Sequence, residues 1–226
     1  MPENAFEKNT TIWERIYSGG EAGSFLNYPC EDLVVVSSRY FSGLGPGKEK
    51  LLDIGFGSGN NLLFFADRGF ECSGVDVSQT AIEIASKRLS QKGLSADLRA
   101  VIGDNTLPFD DDSFDVVVAW HVLSYNDLPG LAKMLSEIRR ILKPGGIFIA
   151  SFPTYREYRV AKAKHISGNI FEHNSDKSNQ KGAIIVAAET EDDIRRIFSE
   201  FTSIEIGYSE ITMKGITNSH WMIAAR

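Results

Sequence analysis

The chain is poor in cysteine. Only Cys30 and Cys72 occur among its 226 residues. They lack metal-ligand spacing and follow no apolar leader, which points to a reducing cytosol. Cys72 falls in a strand-like segment as core filler; Cys30 has no such obvious place. Long apolar runs are missing as well. None is long enough to span a bilayer, and Met1 to Thr10 lacks the apolar region of a signal peptide. Positive charge is not in excess: the net charge of -6 argues against an electrostatic grip on nucleic acid. Internal repeats and low-complexity tracts are absent. The expectation is a cytoplasmic protein, monomer or homodimer, with no membrane or nucleic-acid partner.

What is present is an alternation. Ile12 to Tyr17 reads as a short helix capped by Thr10 or Thr11, and Glu31 to Phe41 as a second helix ended by Gly43 to Gly47. Strands are expected at Lys50–Ile54, Glu71–Val75, Ala96–Ile102, Phe114–Trp120 and Ile147–Ser151. Helices are expected at Asn60–Arg68, Ser78–Gln91 and Leu131–Leu142, the last stopped by Lys143-Pro144-Gly145-Gly146. Strands alternating with helices imply right-handed crossovers and a parallel sheet. Pro153 to Lys181 breaks the pattern and reads as an insertion covering a site. Ile184–Ala188 reads as a short strand. Thr190–Phe201 is a helix with a Thr190/Asp193 capping box. Thr202–Ser209 and Asn218–Ala225 form a final antiparallel pair. The domain reading is one α/β unit over 1–226: an N-terminal helical lid (1–47), a cofactor-binding core (48–152), a cap-like insertion (153–183) and a C-terminal helix with its strand pair (184–226).

The stretch Leu51-Leu52-Asp53-Ile54-Gly55-Phe56-Gly57-Ser58-Gly59-Asn60-Asn61 carries the most information. A short apolar run ends in an acid, then glycines recur at alternate positions before an apolar segment. This is a strand, a tight turn and a helix start. Glycine lets backbone approach a ligand closely, and the helix offers free N–H groups and the positive end of its dipole. A Walker loop is excluded because no Gly-Lys-Ser/Thr follows. A dinucleotide fingerprint would need its last glycine at position 60, which is Asn60. Asp53 adds negative charge where a pyrophosphate would sit, and suits a cofactor bearing a cation.

With these residues in view, Leu52 to Gly59 resembles the first motif of class I S-adenosylmethionine-dependent methyltransferases. Four further segments match in order. Gly74-Val75-Asp76-Val77-Ser78 is similar to the second strand end, whose acid binds the ribose hydroxyls; a carboxylate can accept both O–H groups of a cis-diol. Gly103-Asp104-Asn105-Thr106-Leu107-Pro108-Phe109 resembles the loop where an acid faces the adenine amino group. Phe114 to His121 resembles the fourth strand and its turn, and Leu142 to Gly146 the turn into the fifth. The resemblance spans Lys50 to Ser151. It implies a doubly wound, seven-stranded, mostly parallel Rossmann-like sheet with an antiparallel last strand and helices on both faces, and S-adenosyl-L-methionine as cofactor. It also implies cofactor-binding roles for Asp53, Gly55, Phe56, Gly57, Gly59, Asn60, Asp76, Val77, Asp104, Asn105, Thr106, Trp120 and Tyr28, with Asp53 facing the methionine amino group.

The reaction so implied is displacement at a sulfonium methyl, in which holding the reactants in line is worth ~7–11 kcal/mol. A hydroxyl acceptor would also benefit from a base, which histidine supplies near neutral pH. His121, just past the fourth strand, is the candidate base, with Tyr125 one turn further on. The competing reading has His121 packing or bonding backbone in that turn. His165 and His173 fall in the insertion, and His220 is expected to pack in the last strand. Trp13, Tyr17, Tyr28 and Arg39 are candidates to close the site. The turn after the fourth strand lacks the Asn/Asp-Pro-Pro-Tyr/Phe element of base-modifying methyltransferases and the acidic pair of arginine methyltransferases. No acid stands at Trp120 or His121, so no metal is expected. A small-molecule acceptor remains, with O favoured over N. The alternatives are a non-catalytic S-adenosylmethionine-binding protein and a nicotinamide-dependent oxidoreductase.

Overall fold

The structure is a computed structural model. It describes residues 5–19, 27–41, 49–101, 103, 105–175 and 178–226. The Gly43–Gly47 helix stop and Asp104 lie outside these residues.

Five strands build the parallel part of the main sheet: β1 (Lys50–Ile54), β2 (Glu71–Asp76), β3 (Asp97–Ala100), β4 (Phe114–Ala119) and β5 (Leu142–Pro153). The chain then forms a small antiparallel sheet from β6 (Lys164–Ser167), β7 (Ile170–Glu172) and β8 (Ile184–Val186). It returns to the main sheet as β9 (Ile204–Met213) and β10 (Ile216–Ala225). The order in the seven-stranded sheet is β3-β2-β1-β4-β5-β10-β9, with β10 antiparallel to β5. This is the expected doubly wound, mostly parallel sheet with its last strand reversed. Strand order turns back between β1 and β4, and such a switch point opens a crevice at the carboxyl ends of the strands.

The helices are α1 (Ala5–Ser18), α2 (Glu31–Tyr40), α3 (Asn60–Asp67), α4 (Gln79–Gln91), α5 (Leu128–Ile141), the single turn α6 (Tyr158–Ala161) and α7 (Glu191–Ile197). The central strand β4 shows why both sheet faces are covered. Its side chains alternate between two cores, as strand geometry requires. Val117 and Ala119 join Leu131, Leu135 and Ile138 of α5 and Ile194 of α7. Val116 and Val118 join Leu33 of α2, Leu62 and Phe65 of α3, and Ala85 of α4.

Several element ends differ from the sequence reading. The first helix begins at Ala5, so Thr10 and Thr11 lie inside it; the Thr11 hydroxyl donates back to the Glu7 carbonyl at 3.0 Å. The fifth helix starts earlier than Leu131 because Asp127 caps it, accepting from the Gly130 N–H at 2.8 Å, with Pro129 in the first turn. The Lys143–Gly146 segment is part of β5, whose pairing with β4 shifts register there. The insertion forms α6 and most of the small sheet. All four residues of β6 are exposed, so no alternation marked it as a strand. Ser78 caps α4 and the Thr190/Asp193 box caps α7, both as expected.

Candidate active site

The loop after β1 is shaped by positive backbone φ at Gly55, Gly57 and Gly59. Gly57 has φ 56°, and a Cβ there would collide with the Tyr17 hydroxyl. Gly59 is the left-handed N-cap of α3 and packs against Ala85. This folding aims backbone N–H groups at the end of β2. The Gly57 N–H donates to Asp76 Oδ2 at 2.8 Å, and the Ser78 N–H to Asp76 Oδ1 at 2.9 Å. Each carboxylate oxygen keeps a lone pair for a further donor. Burial pushes the Asp76 carboxyl up to about 6, against the pull of those N–H groups.

A cavity of about 440 Å³ opens above this loop at the strand ends. The loop residues Gly55 to Ser58, Asp76, Val77 and Asn60 line one end. His121, Tyr125, Tyr158, Arg159 and His220 line the other. Helix α1 closes over it with Trp13 and Tyr17. Its grip is polar. Asn9 donates to the Tyr125 and Ile184 carbonyls at 2.9 and 3.1 Å, and its Oδ1 accepts the Ile184 N–H at 3.0 Å. Glu14 accepts the Ser78 hydroxyl at 2.6 Å and the Thr80 hydroxyl beside it. The carboxylate thus sits at the N-terminus of α4, where the helix dipole favours it.

Asp53 does not line the cavity. It is 1% exposed, and its Oδ2 has no hydrogen-bond partner. Burial, and then the charge of Asp76, holds its carboxyl well above the ordinary range. Burial, and then Asp53, pushes the thiol of Cys30, a cavity-lining residue, up to about 11. Trp120 Nε1 is likewise buried without a partner, and its residue faces the cavity. Leaving such groups unpaired costs on the order of 1–3 kcal/mol each. A buried carboxylate awaiting a cation, a second acid at a strand end and an unpaired indole N–H fit a nucleoside that carries an ammonium group.

His121 follows β4 with φ 58°, and its N–H donates to Ser151 Oγ at 2.9 Å. Water reaches its side chain through the cavity, although protein surrounds it. Its ring lies 4.3 Å from that of His220, centroid to centroid, tilted by 34°. Burial, then His220 and Arg159, holds His121 well below its usual pKa. Burial and Arg159 take His220 down to about 4. Both imidazoles are therefore neutral at pH 7. His220 is a cavity residue rather than only a packing one: the antiparallel return of β10 sets it opposite Pro153, beside the end of β4. Tyr125 donates to Gln180 Oε1 at 3.1 Å and meets Trp13 edge-on at 5.0 Å.

Other sequence candidates lie elsewhere. Tyr28 is 81% exposed; only its carbonyl reaches the site, accepting from Asn60 Nδ2 at 3.1 Å. Arg39 is exposed on α2, and Thr106 is exposed and outside the cavity lining. Asn105 lines the cavity, but its amide braces Asn126 at 2.9 Å and the Gly130 carbonyl at 3.2 Å. His165 and His173 contact backbone of the insertion, at Gly168 and Arg159. Asn9, Glu157, Arg159 and His220 carried no local signal that marked them.

Residues 51–146 match the model of a methyltransferase domain. Over 99 residues, 43% of this chain, it is 40% identical to the sterol 4-C-methyltransferase strm-1 of Caenorhabditis elegans, a stretch that is 29% of that protein. The chain spans less than half the length of the first curated relatives it matches. Two solved structures share its fold with a TM-score of 0.70. One, from work on the conversion of a disulfide bond into a thioacetal group during echinomycin biosynthesis, is 20% identical and covers 96% of this chain and 91% of its own. The other is the Burkholderia thailandensis 1,6-didemethyltoxoflavin-N1-methyltransferase with bound 1,6-didemethyltoxoflavin and S-adenosylhomocysteine, 15% identical, covering 100% of this chain and 91% of its own. Sheet order, glycine loop and strand-end acid define a nucleoside-cofactor α/β fold. With the domain match, residues 51–146 are a methyltransferase domain of the class I S-adenosylmethionine-dependent type. S-adenosylmethionine is its cofactor, which sets the nicotinamide alternative aside. Among the described residues, no helix is long and apolar enough to cross a membrane.

Proposed function

We propose that this chain methylates an oxygen or nitrogen of a small-molecule acceptor, oxygen favoured. The observation that supports this best is the cavity itself, which joins the Gly55–Gly59 loop and Asp76 at one end to neutral imidazoles at the other. Its volume of about 440 Å³ lies toward the small end of the ~300–1,000 Å³ usual for ligand sites.

S-adenosylmethionine, when bound, supplies an activated sulfonium methyl group. Asp76 would accept the ribose hydroxyls beside the N–H groups of Gly57 and Ser78. Asp53, outside the cavity lining, would favour the methionine ammonium by its charge rather than by contact, and Phe56, Val77 and Trp120 offer flat or apolar walls. The N–H groups of the glycine loop and α3 hold the site in shape. His121, neutral and at the acceptor end, takes the proton of a hydroxyl as its oxygen attacks; Tyr125 orients the acceptor and helps exclude water. In the domain reading, 1–226 is one methyltransferase unit. Its lid is the N-terminal helical segment, and its cap is the insertion at 153–183.

Isothermal titration with S-adenosylhomocysteine tests the cofactor assignment. Wild type should bind, and Asp76→Ala should bind far more weakly; no binding, or undiminished binding in the variant, would sink it. Homocysteine-coupled turnover across a panel of hydroxyl and amine acceptors separates an enzyme from a protein that only binds the cofactor.

A further inference from the structure

The acceptor end of the cavity has one charged feature that methyl transfer does not demand. Arg159, on α6, is the one Arg or Lys among the described lining residues. Its guanidinium lies over the Tyr158 ring, 4.4 Å from the centroid. Its one side-chain hydrogen bond among the described residues runs from Nη1 to Glu157 Oε1 at 2.9 Å.

Glu157 does not fully offset this cation. It is 2% exposed and caps α6, with Oε2 accepting the N–H groups of Arg159 and Val160 at 2.6 and 3.3 Å. Its negative charge is thus shared with the start of the helix turn. Nε and Nη2 of Arg159 have no hydrogen-bond partner among the described residues, Arg159 lines the cavity, and its charge reaches His121, His220 and Tyr125. A planar fork of N–H donors matches a carboxylate with two parallel hydrogen bonds. The walls beside it are flat or apolar: Tyr158, Tyr125, Trp13, Pro153 and Ile185.

We propose that the acceptor is a small cyclic or aromatic acid whose carboxylate is held by Arg159. This rests on the methyltransferase reading and narrows its substrate class. The carboxylate fixes the ring between the aromatic walls, so that its nucleophilic atom faces the cofactor end beside His121. It also offsets the part that Arg159 adds to burial in lowering both imidazoles. His121 therefore becomes the better base only when the acid is in place.

The test uses the full chain saturated with S-adenosylhomocysteine, titrated with benzoate and with benzamide, which has the same shape without the charge. Tryptophan fluorescence reports the event, since Trp13 and Trp120 line the cavity. Benzoate should bind tighter by on the order of tenfold, the scale of a hydrogen bond to a charged group. Arg159→Gln should remove that preference while keeping wild-type affinity for S-adenosylhomocysteine, which also certifies its fold. Arg159→Lys should restore part of it. Equal binding of the two probes by the wild type, binding of neither, or a preference surviving in Arg159→Gln overturns the inference. Should Arg159→Gln not fold, the wild-type comparison and the lysine variant decide. Failure of S-adenosylhomocysteine itself to bind would instead overturn the cofactor assignment on which the inference rests.

Discussion

Acid should affect this protein in two opposite ways, both through Asp76. In the empty site its carboxyl is raised to about 6, chiefly by burial. The ionised form therefore costs the empty fold free energy above that pH. The cost is relieved as pH falls through about 6 toward the ordinary carboxylate range. The two-unit displacement corresponds to ~3 kcal/mol as an upper bound. Cofactor binding runs the other way, because two ribose hydroxyls need an acceptor-only carboxylate. Affinity for S-adenosylhomocysteine should fall about tenfold, ~1.4 kcal/mol, between pH 7 and pH 5 as Asp76 takes up a proton. Asp53 adds to this. Its carboxyl is held well above the usual range in the empty site, so a nearby ammonium would expel its proton. Calorimetry in buffers of different ionisation enthalpy counts these protons directly. Binding should release protons, more of them near pH 5 than at pH 7 as Asp76 joins Asp53. Asp53→Asn should lower the count. A dissociation constant flat from pH 5 to pH 8, with no buffer-dependent heat, would refute the placing of both acids under the cofactor.

Three further outcomes follow from the same contacts. Gly57→Ala should cost about 1–2 kcal/mol from left-handed strain alone. Because the added Cβ meets the Tyr17 hydroxyl, Tyr17→Phe should recover part of any excess over that in a denaturation double-mutant cycle; strict additivity would show that α1 does not rest on the loop. Asn9→Ala leaves the Ile184 N–H and two carbonyls unpaired, so it should destabilise by about 2 kcal/mol. It should also speed amide exchange in α1 before the rest of the fold; unchanged exchange there would mean the lid is held elsewhere. His121→Ala should depress turnover by on the order of 10²-fold with an O-acceptor and leave cofactor affinity near wild type; equal losses in both would return His121 to a structural role.

The sequence by itself was enough for whatever is encoded within one turn or one strand–helix unit. The β1–glycine loop–α3 unit was legible because glycine adopts the left-handed φ values at Gly55, Gly57 and Gly59 without the strain a side chain would add. Asp76 was legible because it ends a strand and stands just before the Ser78 cap. The continuous apolar run of β4 announced a strand covered on both faces, and two cores do cover it. Tertiary structure alone decided the acceptor end. His220 meets His121 only because β10 returns antiparallel beside β5. Arg159 reaches the same cavity only because the insertion folds into a short turn and a small sheet that pack against Tyr125 and Tyr155. Asn9 and Glu14 became a clasp once α1 lay across β8 and α4. The cofactor end is built from backbone geometry, which leaves its mark in local sequence. The acceptor end is built from side chains of distant segments, and no local periodicity records which of them will meet.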